Sequence, residues 1–225
     1  MTRESFHEAL QRTELELLTL GELAATAIQR SVQALVNHDD GLAERVIAED
    51  DEIDELYLRI DSGTLSLLAL QSPVAADLRL ISAILHSCLH LERVGDQAVN
   101  VAKLYFATRS LPASATMRTL IDEMGERVVM MLRTVMDAFA KRDLDLCLQL
   151  PELDDFVDRL NRSSHLEALK LAEDPRALEW GLHMNLASRA LERAGDNAVD
   201  IAEQVGYLVT GEFREYTDAS HEVSS

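Results

Sequence analysis

Leu191-Glu192-Arg193-Ala194-Gly195-Asp196 repeats Leu91-Glu92-Arg93-Val94-Gly95-Asp96 one hundred residues later. The agreement continues through Asn197-Ala198-Val199-Asp200-Ile201-Ala202 against Gln97-Ala98-Val99-Asn100-Val101-Ala102. Similarity sustained at a fixed offset means one unit written twice, so architecture is read from the repeat first. Working outward from it, the chain divides into helical segments. The first runs from about Glu4 to Asn37, with Leu15, Leu18, Ala25, Ile28, Val32 and Leu35 at helical spacing. Asn37-His38-Asp39-Asp40-Gly41 stops it, and Asp39 or Asp40 caps a second helix that ends before Pro73. A third starts near Pro73 and reaches about Arg109. Leu111-Pro112-Ala113-Ser114 is the strongest boundary. A fourth helix then spans about Thr116 to Lys141, a fifth runs from Asp143 to Leu171 with an interruption or kink at Pro151, and a sixth runs from Asp174-Pro175 to Gly211.

Each copy therefore reads as three long helices joined by short loops, which places successive helices side by side and antiparallel. The expected fold is all-α: two tandem, pseudo-symmetric three-helix bundles, residues 1–110 and 111–212, followed by a polar, disordered tail, 213–225. No strict heptad persists, which argues against a coiled coil. Composition agrees. Hydrophobic residues are 47% of the 225 but aromatics only 4%, so Leu, Ala and Val must fill the core, and nine Gly and four Pro leave room for long uninterrupted helices. The net charge of −19 repels phosphate backbones, excluding nucleic acid as a partner, and attracts cations and basic protein surfaces. Cys88 and Cys147 each lie in apolar runs and read as buried free thiols. Met1-Thr2-Arg3-Glu4-Ser5 has no apolar signal region, and no apolar run approaches a membrane span, so a cytoplasmic protein is expected.

The charged residues kept in both copies point to the chemistry. Glu92 and Asp96 are four apart and share a helical face, which Asn100 extends by a turn; the second copy has Glu192, Asp196 and Asp200. The preceding helix supplies Asp50 and Asp54, with Asp61 further along; its counterpart supplies Asp154 and Asp158, with His165 in the place of Asp61. Both sets border apolar stripes, so four carboxylates converge between adjacent helices in each copy. Together they repel, and a multivalent cation relieves the repulsion. Oxygen-only ligands select hard ions, Mg, Mn, Ca or Fe, and His165 admits a softer metal. The plainer alternative is a solvated acidic face with Arg93 and Arg193 pairing locally; recurrence on two helices in each copy favours metal. Gly95 and Gly195 are expected to permit close helix approach. His86 and His90 have the spacing of a zinc pair but are placed on the side away from Glu92, toward solvent. No paired Glu-x-x-His, catalytic triad or phosphate-binding glycine loop occurs.

Asp50-x-x-x-Asp54 with Ile53, Ser72-Pro73-Val74-Ala75-Ala76-Asp77-Leu78-Arg79, the two Leu-Glu-Arg-x-Gly-Asp segments and Tyr207-Leu208-Val209-Thr210-Gly211-Glu212 together resemble the PhoU family, across about residues 3 to 212. The resemblance implies two tandem three-helix bundles without enzymatic activity. It implies metal clusters of Mg, Mn, Fe, Zn or Ni held by Asp50, Asp54, Glu92 and Asp96 and by Asp154, Asp158, Glu192 and Asp196. It implies two partners, the phosphate ABC transporter ATPase and a phosphate-sensing histidine kinase, through which the chain reaches the membrane, and negative regulation of the phosphate regulon. A homodimer is compatible with such bundles. A carboxylate-bridged metalloenzyme, oxidase or phosphatase-like, and a metal-free helical adaptor are the competing readings. The copies also differ: the second lacks the Pro-Val-Ala-Ala-Asp-Leu-Arg segment, and Asn100 stands opposite Asp200.

Overall fold

The computed structural model describes residues 3–70 and 73–216, and among them there is no strand. In chain order the helices are α1 (Arg3–Asn37), α2 (Asp40–Ala48), α3 (Asp50–Leu70), α4 (Ala75–Thr108), α5 (Ala115–Lys141), α6 (Leu144–Cys147), α7 (Leu150–Leu169) and α8 (Pro175–Thr210). The stop signals act as their chemistry dictates. His38 (φ 59°) and Arg142 (φ 57°) both turn into the left-handed region, and each precedes an aspartate that caps the next helix. Asp39 Oδ1 accepts the Leu42 N–H at 2.9 Å, and Asp143 accepts those of Asp145 and Leu146. Asp174 caps α8, which ends at Gly211 in the left-handed conformation.

Two expectations are corrected. The segments before Pro73 and before Leu171 are each broken into a short helix and a longer one, at Glu49 and at Leu148–Gln149. Pro151 does not interrupt a helix; it opens one, at the first turn of α7, where its missing N–H has no bond to lose. Likewise Pro73 lies just outside α4, whose N-cap is Val74. The breaks matter because they put Asp50 in the first turn of α3 and Asp154 close to the start of α7. The positive end of a helix stabilises carboxylates there.

The four longest helices form the centre. α4 packs on α1 and α8, and α5 packs on the same two. α2 and α3 flank one side, against α1 and α4; α6 and α7 flank the other, against α5 and α8. The two copies share one continuous core, drawn from Leu17, Ile28, Ile84 and Leu91 as much as from Met124, Leu132, Phe139 and Leu191. Cys88 and Cys147 are buried free thiols, and desolvation pushes them up to about 12 and about 11. Trp180 is also core. The tail expected from residue 213 is docked at its start: the Tyr216 N–H donates to Glu203 at 2.8 Å, and its ring packs on the core. Residues 217–225, like Ser72 of the motif, lie outside the described residues.

Small residues set the spacing between the copies. A Cβ at Gly125 of α5 would stand 2.8 Å from Val32 of α1, whereas one at Gly63 of α3 would meet nothing nearer than 4.0 Å. Gly63→Ala is therefore expected to raise the melting temperature, by up to about 1 kcal/mol of helix propensity. Gly125→Ala is expected to lower it, overpacking costing about 1–3 kcal/mol. Thermal melts of the two variants check this; a gain from both would mean that α1 and α5 are not in contact there.

Candidate metal centre

Asp50 of α3 sits against Gly95 of α4, and Asp154 of α7 against Gly195 of α8, beside Asp96 and Asp196. Glycine makes the approach close. A Cβ at Gly95 would lie 3.1 Å from Ile53 and 3.6 Å from Asp50 Oδ1; one at Gly195 would lie 2.9 Å from Asp154 Oδ1. The residue between the carboxylates in Leu-Glu-Arg-x-Gly-Asp thus has no side chain because the partner helix occupies its place.

The consequence is electrostatic crowding. In the first copy, desolvation raises the Asp50 carboxyl above its ordinary range, and the Asp54 and Asp96 charges add to it. Glu92 is raised by the same burial and by Asp96 and Asp54. In the second copy the effect is larger. Asp154 is pushed up to about 7, first by desolvation, then by Asp196, Asp158 and Glu192. Glu192 is only 8% exposed and is raised by burial and by Asp196. Asp196, although exposed along one side, is raised by loss of water and by Asp158 and Asp200. The eight carboxylates therefore feel one another's charge as two sets of four.

The second set is deficient in donors. Asp154 Oδ1 and Glu192 Oε2 are buried and have no hydrogen-bond partner, an arrangement that native interiors rarely leave unanswered. The expected local pairing by Arg193 is corrected: Glu192 Oε1 takes its ion pair from Arg189, and Asp158 takes one from Arg162 at 3.3 Å. Neither Arg93 nor Arg193 forms a salt bridge among the described residues. Among those residues no three His, Cys, Asp or Glu side chains stand together at ligand spacing. In the second copy the donor set fits a hard cation by composition and by its two orphaned oxygens.

The secondary candidates lie apart. Asn100 faces a cavity between α4 and α8. His165 Nδ1 is 3.1 Å from Asn185 Oδ1, at the edge of a buried network of Ser164, Ser188, Asn161 and Asn185. Asp200 is 3.3 Å from His90 Nδ1. His90 itself is a correction: rather than facing solvent it reaches from the first copy to Asn197 Oδ1 at 2.8 Å, inside the α4/α8 contact. A helical wheel of one copy places His90 on an outer face; only the presence of the other copy buries it.

A family model described as the PhoU domain matches residues 17–105 and again 121–205. The phosphate-specific transport system accessory protein PhoU homolog of Pseudomonas aeruginosa is 36% identical over 97% of this chain and 88% of its own length. That of Clostridium acetobutylicum is 32% identical over 94% and 97%. Among solved structures, PhoU from Pseudomonas aeruginosa superposes with a TM-score of 0.87 at 37% identity, covering 92% of this chain and all (100%) of that one. The phosphate transport system regulatory protein PhoU from Streptococcus pneumoniae gives 0.85 at 27% identity, covering 93% and 99%.

The raised Asp154 predicts a pH dependence of stability in chelator-treated protein. The folded carboxyl holds its proton to about 7, against an ordinary 3.8, so the native state binds more protons than the unfolded state between those values. Stability then falls as pH rises through that window. Asp154→Asn removes the penalty, so its advantage in melting temperature over the parent should grow from pH 4 to pH 8. A constant difference across that range would mean Asp154 is not desolvated as described.

Proposed function

We propose, from the premise that this chain belongs to the PhoU family, that it is a non-enzymatic, metal-binding regulatory adaptor of phosphate uptake. In this reading it acts in the cytoplasm. It restrains the phosphate ABC transporter through the transporter's ATPase and holds the phosphate regulon off through the sensor histidine kinase. The observation that carries the metal component is the pair of buried, unpartnered oxygens of Asp154 and Glu192 inside a set of four carboxylates. Asp154, Asp158, Glu192 and Asp196 would hold the ion in the second copy, and Asp50, Asp54, Glu92 and Asp96 in the first. A hard multivalent cation supplies the positive charge these carboxylates lack. The residues' own part is positional: Gly95 and Gly195 bring the helices together, and Arg189 neutralises one oxygen of Glu192.

Several features support an adaptor over an enzyme. The relatives are named as accessory proteins of a transport system. The expected hallmarks of dioxygen chemistry, paired Glu-x-x-His motifs, do not occur in the sequence. The net charge of −19 suits basic protein surfaces. No helix among the described residues is long and apolar enough to cross a membrane, so contact with the transporter would be made from a protein surface.

Untagged protein is expected to purify with metal, and Asp154→Ala with Asp196→Ala to lose that of the second site by elemental analysis. Adding Mn²⁺ at about 100 times its Kd should stabilise the chelated protein by about 2.7 kcal/mol. That corresponds to roughly 5–10 °C in melting temperature for a chain of this size. Unchanged metal content in the double variant would refute the site. Co-purification with the ATPase or the kinase tests the adaptor role, and capture of neither, with or without phosphate, would refute it. A phosphate-ester turnover that tracked metal loading would favour the enzyme reading instead.

A further inference from the structure

Between α4 and α8, beside the second acidic set, lies an open groove of about 480 Å³. Its lining inverts the character of the whole protein. Lys103, Arg189 and Arg193 line it and no Asp or Glu does, in a chain with 40 acidic and 21 basic residues. Neither Lys103 nor Arg193 is ion-paired among the described residues, and Arg189 engages Glu192 through one nitrogen, leaving other donors of its fork. A second, independent feature points into the same space. Gln97 is only 7% exposed, lines the cavity, and its carboxamide makes no hydrogen bond among the described residues. Its polar atoms are open to a partner from the groove.

We propose that this cavity binds a small organic anion carrying phosphate groups, of the nucleoside-phosphate class. Guanidinium forks match phosphate oxygens bidentately, and an ammonium adds a point charge. Gln97 supplies both a donor and an acceptor for the organic part. Leu104 and Leu186 give that part an apolar wall. The volume falls within the roughly 300–1,000 Å³ of organic-ligand sites, far beyond the needs of a bare oxyanion. The overall negative charge does not forbid binding. At physiological ionic strength the field of distant charges decays over about 8 Å. The neighbouring carboxylates are partly offset by Arg189 and Lys103, which leaves Arg193 and the remaining guanidinium donors to meet the ligand. The cavity also spans the two copies, since Gln97 and Lys103 belong to the first and Arg189 and Arg193 to the second. A ligand there bears on how the copies sit against each other.

This proposal goes beyond the regulatory reading and stands without it, so its test is run in chelator, where no metal can bridge a phosphate to the acidic sets. Fluorescence anisotropy of mant-ADP with the full chain is expected to show saturable binding. Unlabelled ADP should displace it, and inorganic phosphate only at concentrations at least tenfold higher. Lys103→Met and Arg193→Met should each weaken binding at least tenfold and together abolish it, with circular dichroism confirming the fold. Lys103 lies on an exposed surface, so its variant serves even if Arg193→Met disturbs α8. Absence of saturable binding, or an affinity unchanged in the double variant, overturns the site. Displacement by inorganic phosphate as readily as by ADP overturns the organic ligand.

Discussion

The close approach of α3 to α4 and of α7 to α8, where Gly95 and Gly195 present no side chain, is the contact on which the chemistry of this molecule depends. It forces acidic residues of adjacent helices into partly desolvated proximity. Any larger residue at Gly195 would collide with Asp154 Oδ1 at 2.9 Å. Repulsion among carboxylates then has two outlets, protonation or a positive ion. The upward displacement of Asp50, Glu92, Asp154, Glu192 and Asp196 shows how strongly each set calls for one of them.

The two copies answer the same constraint unequally. In the first, Asp54 and Asp96 are exposed, and Lys103 offsets part of the charge on Asp50. In the second, Glu192 is buried and Arg189 is drawn onto it. The two acidic grooves share one pattern, and the second is the more enclosed. The α4/α8 interface shows the same division of labour. His90 of one copy bonds to Asn197 of the other, and basic residues of both line one cavity. The surfaces that each copy would otherwise expose are therefore where the molecule becomes asymmetric.

Much of this was legible in the residues. The repeat at a fixed offset, the aspartate caps and the terminal Gly211 gave the helices and their order. The i, i+4 spacing of Glu92 and Asp96, and of Asp50 and Asp54, placed each pair on one face. The break at Glu49 was not legible in the same way, because helical periodicity continues across it, whereas the break at Leu148–Gln149 was signalled by Pro151, which opens the next helix instead of kinking one. The Arg189–Glu192 pair was missed although helical spacing favours it, since residues three apart share a face and adjacent ones such as Glu192 and Arg193 do not. An unpaired arginine three residues before Glu192 was the available signal.

By itself the sequence determined that this is a duplicated all-α chain with four carboxylates bordering the core of each copy, since side-chain spacing along a helix is fixed by its 3.6-residue turn. Tertiary structure decided the rest. It set which oxygens lose their water, which arginine answers them, and that His90 reaches the other copy while Gln97 and Asn100 line the groove between the copies rather than the acidic groove. Those outcomes depend on distances between helices far apart in the chain, and no local pattern encodes such distances until the copies pack.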